Sequence, residues 1–326
     1  MRSNSRVTSV PAGNVMEDSR LRSTEPTASD DLKILDARIN CFLPPRYQHC
    51  YESVPPGSMG SAGLKYTPEG RVAWGEIWTS FCDLALAGGP PHRGRLLEPV
   101  WPEAVADQPE RHRVVVDELD RAIRLVADRD LVAGYAPGWV GVPCSTREEA
   151  SWLQAAVVAE NVSARRRGTV LQLPAGPEFH VEKEIKNVVV ALAKVCHYWD
   201  GHLSDAQQSA FRGTEFIEPA SPAEVAASPQ DYHATVALLE RRLGETAALG
   251  VDSARYAGWV GVACQGEPMA AWLLRATLVE GLLTRREGEV LYLPVAMGQP
   301  AGETERVVAV FAAALRLWRV VAGGLS

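Results

Sequence analysis

Lysine is scarce in this chain: Lys33, Lys65, Lys183, Lys186 and Lys194 are the only five among 33 basic residues. The net charge is −7, which argues against partners that select a basic surface, namely nucleic acid and anionic membrane. No apolar run reaches the roughly 18 residues that a membrane span requires. Cysteine is limited to Cys41, Cys50, Cys82, Cys144, Cys196 and Cys264. Of these, Cys41, Cys50, Cys82 and Cys196, with His49, His92 and His197, are permitted metal ligands, but they lack the short paired spacings of a zinc site. In His49-Cys50 and Cys196-His197 the neighbours point apart on any regular element. The chain has no G-x-S-x-G elbow, no H-E-x-x-H and no EF-hand loop, and Gly57, Gly60 and Gly63 match neither a Walker A nor a dinucleotide spacing. No metal ligand set is assigned, and the cofactor is left open.

With 46% hydrophobic residues over 326 positions, a large core can be built without disulfides. Residues 1–31 have no apolar core of a leader peptide and are rich in Ser, Arg and Thr. They read as a disordered tail, not a signal peptide. Scattered cysteines without such a signal point to reduced thiols and a cytoplasmic location. Residues 32–105 form a Pro- and Gly-rich leading segment. Within it the spacing of Trp74, Ile77, Trp78, Phe81 and Leu84 predicts a helix over 72–87. Gly88-Gly89 and Pro90-Pro91 stop it, and a short strand is expected over 96–100.

The next feature is an internal repeat. Tyr135-Ala-Pro-Gly-Trp139-Val-Gly-Val-Pro-Cys144 returns as Tyr256-Ala-Gly-Trp259-Val-Gly-Val-Ala-Cys264. At an offset of 120, Trp152 answers Trp272, Glu160 answers Glu280, Arg165-Arg166 answer Arg285-Arg286, and Leu173-Pro174 answer Leu293-Pro294. A one-residue deletion later, Trp199 answers Trp318. Such sustained register marks a duplication. Each copy reads helix–strand–helix–strand–helix: 110–127, 138–143, a helix from about 146, 169–173 and 182–199 in the first; 231–249, 258–263, a helix from about 267, 289–293 and 303–318 in the second. Alternating strands and helices imply an α/β fold, with α+β as the alternative, and two pseudo-symmetric units with helices packed on a sheet. The units span 106–200 and 230–326, with 201–229 as linker.

Positions alike in both copies are explained by packing. Cys144 and Cys264 belong there, since buried Cys behaves as a small hydrophobe, although each lies between a strand end and a helix start. The differences point to function. Asn161 faces Gly281, Lys186-Asn187 face Glu305-Arg306, Lys194 faces Ala313, and Cys196-His197-Tyr198 face Leu315-Arg316-Leu317. Three of the five lysines fall on one face of the 182–199 helix, beside Asn187 and His197. The first copy is therefore expected to be the functional one and the second a structural support.

These residues motivate a cytoplasmic enzyme acting on a small anionic metabolite by Lys/His acid–base chemistry, its reaction unspecified. Lys186, Asn187, His180 and His197 would be catalytic. Arg46, Lys65, His92, Arg93 and Asn161 would bind substrate where the leading segment crosses the first unit. Two further classes stand beside it: a non-catalytic accessory or scaffold protein, for which nine tryptophans offer interface anchors, and a metal- or cofactor-binding protein. Self-association or a partner protein is compatible with each.

Overall fold

The computed structural model describes residues 28–48, 63–79, 83–132, 136–211, 215–246, 249–298 and 300–324. The fold mixes helices with two small antiparallel sheets, so it is α+β and not α/β. The reason is local. A two-residue Gly168-Thr169 turn joins β2 (Arg165–Arg167) to β3 (Val170–Pro174) as a hairpin. Gly168 carries the positive φ of 63° that such a turn favours. β1 (Trp139–Pro143) then pairs antiparallel with β3, Trp139 opposite Pro174 and Pro143 opposite Val170, in the order β1-β3-β2.

The second sheet has the order β4-β5-β7-β6, with β4 Val251–Asp252, β5 Trp259–Ala263, β6 Arg285–Glu287 and β7 Val290–Pro294. Here Trp259 lies opposite Pro294 and Ala263 opposite Val290. The arginine-rich edge strands β2 and β6 were not anticipated, because neither is apolar or alternating.

Helices cover these sheets. α4 (Arg147–Ala159) and α9 (Glu267–Val279) pack on β3 and β7, and α5 (Lys186–His202) and α10 (Pro300–Gly324) pack on them in turn. α3 (Pro109–Ala127) lies against α5, and α8 (Pro229–Thr246) against α10. Trp152 and Trp272 are fully buried. Each stacks obliquely on the tryptophan of the following helix: Trp152 on Trp199 and Trp272 on Trp318, both at 5.8 Å. The Trp152 indole also donates to the Phe42 carbonyl at 3.0 Å. This joins α4 to the end of α1 (Ala28–Phe42), whose Arg38 guanidinium reaches the Val279 carbonyl at 2.6 Å on the other side.

Several expectations are corrected. Residues 28–31, assigned to the tail, form the first turn of α1, whereas 1–27 lie outside the described residues. The helix expected over 72–87 is two 3₁₀ turns, Trp74–Thr79 and Ala85–Ala87; Phe81 and Cys82 are not among the described residues, nor are His49, Cys50, Gly57 and Gly60. The strand over 96–100 reduces to one bridge, Leu97 to Val162. The linker holds α6 (Asp205–Ala210) and α7 (Pro222–Ala227); α2 (Pro102–Asp107) precedes α3. No described helix is long and apolar enough to cross a membrane.

Replacing Trp152 with Ala removes a fully buried ring and its bond to Phe42. A loss of about 3–5 kcal/mol of unfolding free energy is expected in urea denaturation.

Candidate functional site

Residues 83–97 form a strap that passes between α4 and α9. Its backbone is held by charged side chains from both halves. Glu160, just past α4, accepts from the Ala85 amide at 2.9 Å and from the His92 amide at 2.7 Å. Lys194 on α5 pairs with Glu160 at 2.8 Å and donates to the Asp83 carbonyl at 2.9 Å, and neither side chain has exposed surface. From the other half, Arg275 donates to the Ala87 carbonyl at 2.9 Å, Arg286 to Gly89 at 3.0 Å, and Glu287 accepts from the Leu96 amide at 3.0 Å. Gly89 is required at this crossing, since a Cβ there would sit 2.7 Å from the Asp83 carbonyl oxygen.

Asn161 belongs to the same clamp. It sits past the end of α4 with a left-handed φ of 62°, and Gly281 past α9 has 87°. Both residue types tolerate that conformation. The Asn161 amide donates to the Arg93 and Arg286 carbonyls at 2.8 and 2.9 Å and accepts from Arg285 at 3.1 Å. Arg285, fully buried, lies over Tyr292, Tyr256 and Trp259 and pairs with Glu287 at 2.7 Å. Cation–π contacts, one carboxylate and the Asn161 oxygen replace part of the water it has lost, while its Nε and Nη2 have no hydrogen-bond partner among the described residues.

Besides the bond from Asn161 to the Arg93 carbonyl, the structure joins one further pair of the expected site residues: His92 Nε2 lies 3.1 Å from Asn187 Oδ1, where the strap crosses the first half. Burial, chiefly, holds the His92 imidazole below its ordinary value, with Lys194 adding to the effect and Glu160 opposing it. The others have separate partners. Arg46 pairs with Asp83 at 2.8 Å, Lys65 with Glu76 at 3.1 Å, and Arg93 donates to the Arg95 carbonyl at 3.1 Å. Lys186 is half-buried at the start of α5, and His180 is exposed. His197 Nε2 lies 3.2 Å from His202 Nε2 at the far end of the helix.

The expected polar face of that last helix is corrected on two counts. A π-turn over Val181–Ile185 shifts the phase of Lys183 against α5, and Lys194 points into the core. The buried cysteines are poor nucleophiles: burial pushes Cys144 and Cys264 up to about 12, and Cys196 is raised for the same reason. Among the described residues no group of three or more His, Cys, Asp or Glu side chains is placed to hold a metal ion.

A feature not anticipated is a polar cleft of about 560 Å³ between the N-terminus of α4, the end of α5 and α6. Arg129, Ser145, Thr146, Glu148, Glu149, Trp199, Asp200, Asp205, Gln208 and Ser209 line it. Thr146 caps α4 by accepting from the Glu149 amide at 3.1 Å, and Glu149 reaches back to the Ser145 amide at 2.6 Å. Arg129 pairs with Glu149 and donates to the Pro143 carbonyl at 2.8 Å. The Asp200 carboxyl is raised by desolvation; Arg129 opposes this and the Glu149 charge adds to it.

Two outcomes follow from this geometry. Lys194→Ala leaves the Glu160 carboxylate buried without its cation, and a loss of about 3–5 kcal/mol is expected in urea denaturation. Amides of Ala85 and His92 should exchange faster in hydrogen-exchange measurements. Burial disfavours the His92 imidazolium in the fold, while the unfolded chain takes up its proton near the ordinary value of about 6.5. Its contribution to stability is therefore full above that pH and is lost as pH falls through the folded value. Stability curves between about pH 7 and pH 5 should be flatter for His92→Gln than for the parent protein.

Comparison with known proteins finds no relative: no family model matches the chain, and no curated protein and no solved structure does.

Proposed function

We propose that this protein is a non-catalytic accessory protein that receives a cationic segment of a partner in the cleft beside α4. The observation that carries this reading is the charge of that cleft. Among the described residues, Glu148, Glu149, Asp200 and Asp205 line it against one cation, Arg129, which is already paired with Glu149. A lysine or arginine side chain entering it would stabilise the Asp200 carboxylate, which desolvation disfavours, and the net charge of −7 favours approach of such a partner.

Reading the halves as pseudo-symmetric copies supports the assignment. Leu249, Met269 and Arg319 stand where the first copy has Arg129, Glu149 and Asp200, so the acidic cleft belongs to one copy alone. The buried groups that resemble catalytic machinery, Lys194, Glu160 and Asn161, are engaged in holding the strap.

A second reading, the acid–base enzyme on a small anion, has one observation in its favour: the His92–Asn187 pair at the strap crossing, with a neutral imidazole.

Titration of a fluorescent, lysine-rich peptide at low salt tests the first reading. Saturable binding is expected. It should weaken at least tenfold in Asp200→Asn/Asp205→Asn, weaken with added salt, and persist in Asp130→Asn, which lies off the cleft. No binding, or equal loss in both variants, would remove the cleft as the docking site. If instead phosphate or citrate raises the melting temperature, and His92→Gln abolishes that rise, the enzyme reading takes precedence.

A further inference from the structure

We propose that His197 and His202 form a two-imidazole site for a divalent transition-metal ion of the nickel and zinc class. Residues five apart on an α-helix lie about 140° apart around its axis, so helical periodicity does not bring these rings together. They meet because His202 is the last residue of α5, where Leu203 turns extended and frees the side chain to swing back.

Tyr198 fixes the meeting point. Its ring lies 5.9 Å from that of His197 and 5.3 Å from that of His202. Its hydroxyl is 2.9 Å from that of Tyr47, which donates to Asp83 at 2.6 Å. The two imidazoles therefore stand beside an anchored, buried tyrosine.

The resulting geometry is that of two ligands on one ion. The Nε2 atoms lie 3.2 Å apart on rings set edge to face, their centroids 4.9 Å apart. Two nitrogens each about 2.0–2.1 Å from a shared ion are separated by about 2.8–3.4 Å, from octahedral to tetrahedral angles. The position also favours positive charge, because the unsatisfied carbonyls at a helix C-terminus carry partial negative charge. The nearby Arg46 cation is offset by its ion pair with Asp83.

In the second copy the corresponding residues are Arg316 and Val321, so the pair is specific to the first. With two protein ligands the ion keeps open positions for water or another donor. Such a site binds more weakly and exchanges more freely than a four-ligand structural site. Neither histidine is among the residues lining the cleft, although the His197 charge acts on Asp200 at its wall.

Calorimetric titration of the full, tag-free chain with nickel chloride tests it. Binding of one ion per chain is expected, lost in His197→Ala and in His202→Ala and retained in His233→Ala, with all three variants keeping the parent melting temperature in the absence of metal. No nickel binding by the parent chain would show that the pair is an N–H···N hydrogen bond only. Undiminished binding in the two α5 variants would place the ion elsewhere. Either result overturns the proposal. If one variant unfolds, His202→Gln offers a milder replacement with the same expected loss.

Discussion

A lysine and a glutamate without exposed surface, Lys194 and Glu160, meet at the centre of the first half, and the path of the strap depends on them. Removing two charges from water costs several kcal/mol per ion, and mutual attraction offsets this only when their remaining hydrogen-bonding capacity is filled. Here it is filled by main chain: the Asp83 carbonyl on the lysine, and the Ala85 and His92 amides on the glutamate. The pair and the strap are therefore mutually required. The second half contributes Arg275, Arg286 and Glu287 to the same segment, so the strap is also what couples one half to the other.

The corresponding glutamate of the second half, Glu280, takes its cation from Arg38 on α1. One helix-end carboxylate thus anchors a passing segment in each half, with a different donor each time. Lys194 and Asn161 bond the strap in the first half, where Ala313 and Gly281 stand in the second. The left-handed backbone past α4 and α9 is common to both positions.

Much of the frame was legible. Runs such as Trp139–Pro143 and Val170–Pro174 are short, apolar and bounded by glycine, and α3 and α8 fall within a few residues of their expected bounds. The hairpin strands β2 and β6 were not, since Arg165–Arg167 owes its extended form to the glycine turn and to pairing, not to apolar alternation. The three-residue spacing of Trp74 and Ile77 imitated an α-helix because a 3₁₀ turn presents i and i+3 on the same side. The site was legible only in part. Proximity of His92 and Asn187 followed from the strap crossing, but a lysine's burial is decided by a partner 34 residues away, Glu160, which periodicity does not show. The cleft was within reach of the same copy-to-copy comparison at Arg129, Glu149 and Asp200.

The clamp grips the strap by its peptide groups, and this has a consequence for how the segment can vary. Amides and carbonyls are the same in every residue but one. Side chains at Ala85, Ala87 and Leu96 can therefore drift without touching these bonds, within the limits of packing. Proline is the exception: at 85, 92 or 96 it would delete a donor that a buried carboxylate expects. Along this stretch, packing around Leu84, Ala85, Leu86 and Ala87 and the close approach at Gly89 limit side-chain size, while the peptide bonds themselves exclude only proline.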